Sequence, residues 1–280
     1  MSKIKIQGIG CPFTIEHSSC STLTPKNFIW TRERQEIQVY IDGGIFQGLN
    51  TPYHNKKYAW ICESRFIGDA RKVRDRLFTN KEEILSKYKY LFTCEKELCK
   101  LDDRIKWTYS GSNLPWCFAR DGVKIPEKNK LVSMICSPKD YSEGHRYRLS
   151  VALNLKNKLD LYGGAHGSIR PGEGTGAHRD KKEALDPYMF SVVFENDSYP
   201  GYFTEKITDC FAKGVIPIYH GDPDVFEHFD RDGIILYKDD IITTLTKELY
   251  ESKKQSILNN IEKIKQMPIA EDYFYEKFIH

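Results

Sequence analysis

The 280-residue sequence has no apolar stretch approaching the ~18–20 residues that span a bilayer as a helix, no C-x-x-C pair, no internal repeat and no low-complexity tract. These absences exclude a helical membrane anchor within the chain, a zinc ribbon or dithiol redox motif, a solenoid and a fibrous or disordered protein. The amino terminus, Met1-Ser2-Lys3-Ile4-Lys5-Ile6, lacks the apolar core of a secretory signal and reads as a first strand. A dominant charge is also missing: 42 Lys and Arg face 39 Asp and Glu, for a net +3. That sum hides a division, since residues 1–125 carry 21 basic and 14 acidic side chains and residues 126–280 carry 21 and 25. A mildly basic half joined to a mildly acidic one argues against general nucleic-acid binding, which needs one strongly basic surface. Eight cysteines stand at unpaired spacings, and Cys62, Cys94, Cys136 and Cys210 lie in or beside apolar runs, a pattern of reduced, buried thiols. The spacing of Cys94, Cys99 and Cys117 fits none of the common zinc sites.

What is present is a globular composition, 40% hydrophobic and 29% charged, in which strand and helix patterns alternate. Apolar β-rich runs occupy 4–9, 37–41, 58–61, 90–93, 131–136, 159–162, 190–194, 215–219 and 233–236, with helical patterns at 69–77, 81–87, 146–155, 204–212 and 241–264. Such alternation predicts an α/β protein with parallel sheets covered by helices. The change of charge and the polar run around Pro126 place a boundary near residues 123–129. Two facing Rossmann-like domains with an inter-domain cleft follow as the expected architecture. They comprise residues 1–125, residues 126–265, and a tail over 266–280 that returns to the first domain.

The stretch most suggestive of chemistry is 191–221, SVVFENDSYPGYFTEKITDCFAKGVIPIYHG. A buried strand is followed by a turn, then by a helix capped by Thr204 with Glu205 in its first turn, and Gly214 suits the residue past its end. A helix beginning at the carboxyl end of a strand turns unsatisfied N–H groups and a partial positive charge toward a ligand, here most simply a diphosphate. Lys206 would add a cation and Glu205 could accept from ribose hydroxyls; an ordinary capped strand–helix unit with both side chains solvated uses the same pattern.

The motif F-E-N-x-x-x-P-x-Y-x-T-E-K-I, followed by A-x-G-x-I-P-I, resembles the donor-binding signature of family 10 glycosyltransferases, the α1,3/4-fucosyltransferases. Residues 131–164 are similar to the strand, turn and Arg-led helix that precede that signature, so the likeness covers roughly 128–225. The resemblance implies the GT-B fold and an inverting transfer from a nucleotide-diphospho-sugar, GDP-fucose by family default, to a hydroxyl of a glycan or oligosaccharide acceptor. Carried over by position, it implies that Arg146 and Lys206 clamp the diphosphate, Asn196 joins them, Tyr202 lines the sugar pocket and Glu205 binds the ribose. By residue type, His145 and Arg148 serve as well as Arg146. Asn196 also opens an N-D-S glycosylation sequon, and a glycan there would block the pocket, which favours a soluble, cytoplasmic protein of a bacterium or a virus-infected host cell.

In the first half, Tyr58-Ala59-Trp60-Ile61-Cys62-Glu63-Ser64 resembles the family's W-x-x-E-S stretch, with Arg65 where relatives have proline. The resemblance makes residues 1–125 the acceptor-binding domain, residues 126–265 the donor-binding domain and Glu63 the general base; Asp42, in Ile41-Asp42-Gly43-Gly44, and Glu95 are rivals at other strand ends. The D-x-D patterns at 222–224 and 230–232 read as turns or caps rather than a manganese site, and no metal or other cofactor is expected. The glycine-rich residues 163–176 lack G-x-x-x-x-G-K-S/T and read as a loop over the donor or a plain surface loop. A UDP-pentose donor and a non-catalytic glycan- or nucleotide-binding protein are the alternatives.

Overall fold

The computed structural model describes residues 3–21, 23–117, 125–165 and 177–279. The chain divides into two compact units, one of Met1–Asn113, Tyr199–Tyr202 and Pro268–His280, the other of Leu114–Ser198 and Phe203–Met267. The first change of unit thus lies at Leu114, upstream of the 125/126 division drawn from composition. Of the expected boundary region, residues 123 and 124 fall outside the described residues, as do residues 166–176 of the glycine-rich stretch.

Unit 1 is a six-stranded parallel sheet in the order β2-β1-β3-β4-β5-β6. Its strands are β1 (Ile4–Ile9), β2 (Phe28–Thr31), β3 (Gln38–Ile41), β4 (Lys57–Trp60), β5 (Tyr90–Thr93) and β6 (Ile105–Trp107). Its helices are α1 (Gly44–Leu49), α2 (Gly68–Leu85), α3 (Lys96–Cys99) and, from the tail, α9 (Ala270–Phe274). Both faces of β4 are covered, so it is buried throughout rather than alternating. Ala59 and Ile61 pack with Val73 and Leu77 of α2, whereas Tyr58 and Trp60 pack with Phe274 of α9, whose ring stacks on Phe92 at 4.8 Å. The tail is also fixed by polar contacts: buried Glu271 accepts from Ser19 N at 2.7 Å and Ser19 Oγ at 3.0 Å. Helix α2 is interrupted at Asn80 (φ −155°), so the two helical patterns read at 69–77 and 81–87 are two helical pieces around one kink.

Unit 2 is a five-stranded parallel sheet ordered β11-β10-β9-β7-β8. The strands are β7 (Lys130–Ile135), β8 (Asp160–Tyr162), β9 (Tyr188–Phe194), β10 (Ile216–His220) and β11 (Ile235–Leu236). The helices are α4 (Glu143–Leu155), α5 (Ala177–Leu185), α6 (Glu205–Ala212), α7 (Lys247–Ser252) and α8 (Lys254–Gln266). All seven residues of the central β9 are buried. The long pattern at 241–264 is broken, because Thr246 caps a new helix start by accepting from Leu249 N and Lys253 leaves helical geometry between α7 and α8. All eight cysteines are free thiols. Among the described residues no helix is long and apolar enough to cross a membrane.

Each sheet contains a topological switch point. In unit 1 the chain leaves β1 to β2 on one side and then to β3 on the other; in unit 2 it leaves β7 to β8 and then to β9. Ligand crevices of open α/β sheets form outside the carboxyl ends of the strands at such points.

Candidate active site

The switch point of unit 2 holds a cavity of about 150 Å³. Its polar lining includes Ser137, Arg148, Lys181, Glu205, Lys206 and Asp209, above the apolar floor of β9. Helix α6 begins at Thr204, whose Oγ1 accepts from Lys206 N at 3.4 Å and from Lys206 Nζ at 2.9 Å. Glu195, the buried acid directly after β9, secures that start: its carboxylate accepts from Thr204 N at 2.9 Å and Thr204 Oγ1 at 2.7 Å, and pairs with Lys206 Nζ at 3.3 Å. Sequence reasoning gave Glu195 no role; its burial at the end of β9 is what requires its carboxylate to be partnered.

Helix α4 supplies the second wall. Ser142 caps it by accepting from His145 N, and Ser142 Oγ donates to Asn196 O at 2.9 Å. Gly144 permits this approach, since a Cβ there would collide with the carbonyl of Asn196. The turn of α4 then carries Arg148 inward, where it is buried, donating from Nη1 to Asn196 Oδ1 at 3.3 Å and from Nη2 to Ser137 Oγ at 3.4 Å. Its Nε has no hydrogen-bond partner, and no carboxylate pairs with the guanidinium among the described residues. A buried cation without a counter-anion is costly and marks a place for one. His145 is pushed down to about 4 by burial and by the nearby Arg148 and Lys206 cations, so it is neutral at pH 7 and adds no charge to the clamp.

Of the residues expected here, Lys206, Glu205 and Asn196 gather at this cavity or its rim. Arg146 does not line it: it is exposed and donates to Asp140 O at 3.2 Å. Tyr202 is grouped with unit 1, stacked on Tyr199 at 4.8 Å and packed with Cys94. Glu205 is buried and already partnered, with Lys181 Nζ at 3.3 Å and Lys206 Nζ at 3.7 Å. Burial alone would raise its pKa, but these two cations outweigh burial and hold it at about 2. Lys181 also bonds Asp209 at 2.6 Å and sits over the Trp116 ring at 4.5 Å. The two D-x-D patterns act as turn caps: Asp222 Oδ1 accepts from Asp224 N at 2.8 Å and Asp230 Oδ1 from Asp232 N at 3.1 Å. Among the described residues no three His, Cys, Asp or Glu side chains are grouped to hold a metal ion.

The switch point of unit 1 holds a more open pocket of about 370 Å³, lined by Gly10, Asp42, Gly43, Gln47, Glu63 and Asp69 among others. Glu63 is exposed, and its carboxylate makes no hydrogen bond or ion pair among the described residues; Arg65 lies over the Tyr199 ring and Arg71 pairs with Asp75 instead. Asp42 takes a left-handed φ of +45°, and its Oδ1 accepts from Cys62 N at 2.9 Å and Glu63 N at 3.4 Å. Burial raises its pKa to about 7, with the Glu63 and Asp69 charges adding to the effect. Glu95 lies outside the pocket, buried and held by Arg74 Nε through both oxygens at 2.8 and 3.1 Å.

Asp42 links pH to stability. Its folded pKa lies above the ordinary carboxylate value, so its contribution is fully present in acid and is lost as pH rises through about 7. Asp42→Asn keeps both accepted bonds and cannot ionise. Its melting temperature should exceed the parent's by a few degrees at pH 8, at roughly 2–4 °C per kcal/mol for a chain of this size, and by less at pH 5. An equal difference at both pH values would remove Asp42 as the source.

Comparison with known proteins matches residues 125–250 to glycosyltransferase family 10 (fucosyltransferase), C-terminal part. The match covers a little under half of the chain. The alpha-(1,3)-fucosyltransferase FucT of Helicobacter pylori is 38% identical over 76 residues, 24% of this chain and 16% of that protein. A fucosyltransferase-like protein of Arabidopsis thaliana is 37% identical over 79 residues, 28% of this chain and 14% of that protein. The chain therefore matches only a small part of these relatives' length. In three dimensions it is similar to a crystal structure of an alpha1,3-fucosyltransferase with GDP (TM-score 0.55, 16% identity, 96% of this chain and 92% of the other). It is also similar to the crystal structure of TarM (TM-score 0.51, 13% identity, 87% of this chain and 54% of the other). These likenesses establish the GT-B fold class. The matched residues contain the whole lining of the unit 2 cavity, including Arg148.

Proposed function

We propose that the protein is an inverting glycosyltransferase whose donor is a nucleotide-diphospho-sugar, GDP-fucose in the first instance, and whose acceptor is a glycan hydroxyl. The observation that carries the donor half is Arg148, a buried guanidinium lacking an anion beside Lys206 and the capped start of α6. Planar, bidentate donors suit diphosphate oxygens, and helix N–H groups add to them. In the reaction the Glu63 carboxylate takes the acceptor hydroxyl proton as that oxygen attacks the anomeric carbon. The bond from that carbon to the phosphate oxygen breaks, and its electron pair leaves with the diphosphate. Arg148 and Lys206 offset that charge, so the mechanism needs neither a protonated acid nor a metal ion.

A thermal-shift panel tests the donor. A ligand at a hundred times its Kd stabilises by roughly 2.7 kcal/mol, so GDP and GDP-fucose should raise the melting temperature by several degrees and UDP should not. A shift with UDP and UDP-xylose alone would move the donor to a pentose; no shift with any nucleotide would end the enzymatic reading.

A further inference from the structure

We propose that Lys181 is a positioning residue for the donor: it holds the Glu205 carboxylate charged at the wall of the unit 2 cavity, where Glu205 accepts from the ribose hydroxyls of a nucleoside diphosphate. The proposal rests on the reading of that cavity as the donor site. Lys181 comes from α5 and lines the cavity together with Glu205, Lys206 and Asp209 of α6. Glu205 and Asp209 stand one helical turn apart and so share a face of α6. The Lys181 ammonium bridges them, at 3.3 Å from Glu205 Oε1 and 2.6 Å from Asp209 Oδ2. The three side chains are only 11%, 10% and 2% exposed, so water does little to screen the contacts. Burial alone would favour the neutral amine, and the Asp209 and Glu205 carboxylates outweigh it and keep Lys181 charged.

The two lysines beside Glu205 divide the work by how each is anchored. Lys206 Nζ touches Thr204 Oγ1 at 2.9 Å, Glu195 Oε2 at 3.3 Å and Glu205 Oε1 at 3.7 Å, so its hold on Glu205 is the loosest of the three. A diphosphate at the start of α6 draws this ammonium toward itself. Lys181 cannot follow. Its partner Asp209 is fixed through Oδ1, which accepts from Trp116 N at 2.7 Å and Cys117 N at 3.0 Å, and the Trp116 ring lies 4.5 Å from the ammonium. With two carboxylates and a ring face around it, Lys181 is committed to the protein rather than to a phosphate. It is therefore the counter-ion left to Glu205 once the donor binds. An anionic carboxylate beside a diphosphate repels it unless the nearer group is a neutral hydroxyl donor, and in a nucleoside diphosphate that neighbour is the ribose. A charged acceptor binds such hydroxyls more strongly than a neutral one.

The test is titration calorimetry of the full chain with GDP and with dideoxy-GDP, which lacks both ribose hydroxyls. Lys181→Met alone strands the buried Asp209, so the deciding variant is Lys181→Met with Asp209→Asn, in which the asparagine still accepts from both backbone N–H groups. The parent should bind GDP at least tenfold more tightly than dideoxy-GDP, as expected for hydroxyls donating to a charged acceptor. In the double variant that ratio should fall to about threefold or less, through weaker GDP binding, with dideoxy-GDP held within threefold of the parent. Glu205→Gln should lower the ratio in the same way. A structural role alone would weaken both nucleotides alike and leave the ratio intact, and that result would overturn the proposal. So would a parent that binds GDP and dideoxy-GDP equally, or a Glu205→Gln variant that keeps the parent's ratio; in each of these cases GDP still binds and the donor reading stands. A parent that does not bind GDP at all would overturn both, so the two failures are distinguishable.

Discussion

Glu63→Gln should lower sugar transfer about a thousandfold, within the range general base catalysis supplies, while nucleotide binding and melting temperature stay close to the parent's. Glutamine keeps the size of the side chain and cannot accept the acceptor's proton. The carboxylate is exposed and unpartnered among the described residues, so the fold loses nothing by the change. Asp42→Asn and Glu95→Gln provide the contrast. Glu95 is sequestered by Arg74, and its replacement should cost stability before turnover, since it leaves a half-buried guanidinium with only the exposed Glu97 as a counter-charge. Transfer by Glu63→Gln within tenfold of the parent, measured at saturating donor, would move the base elsewhere in the pocket, with Asp42 the next candidate.

Arg148→Met should weaken GDP binding by more than a hundredfold, because it removes two charge-assisted bonds worth roughly 1.5–3 kcal/mol each. Arg146→Ala should leave binding within twofold. The pair is informative because the two arginines are two positions apart on one helix and differ chiefly in phase. Arg148→Lys should be intermediate, since an ammonium keeps the charge but not the planar fork. Without ligand, Arg148→Met should melt no lower than the parent, as it replaces a buried cation that has no counter-anion with an apolar side chain of similar reach. That opposition of stability and binding is the signature of a residue kept for its ligand. Titration calorimetry with GDP on the three variants measures it, and equal losses for Arg146→Ala and Arg148→Met would refute the assignment.

Strand β9 was readable because both faces of a parallel sheet are covered there, which leaves seven buried residues in a row, while β1 and β7 showed as shorter or alternating apolar patterns. Strands β2 and β6 escaped notice. They are four and three residues long and lie at the sheet edges, where Ile29 is exposed. Helix α9 was likewise too short to show a period.

The motif at 194–207 gathered its cap, acid and lysine on its own, because they are neighbours in sequence and a helix start brings them together locally. It did not determine which arginine faces the cavity. That depended on helical phase: His145, Arg148, Val151, Ala152 and Leu155 form the buried face of α4, and Arg146 lies off it. The apolar positions 151, 152 and 155 already pointed to 148 three residues earlier, so this was legible and was outweighed by the motif's approximate spacing. The role of Glu195 and the pairing of Glu205 with Lys181 were not legible, since Lys181 comes from another helix 24 residues away and only packing fixes which charges meet. The same holds in unit 1. Sequence put Glu63 first among three acids at strand ends, with Asp42 and Glu95 as rivals. The tertiary structure separated them, placing one against Arg74, one beneath two backbone N–H groups and one open to the pocket, because burial and partners, not residue type, decide what a carboxylate can do.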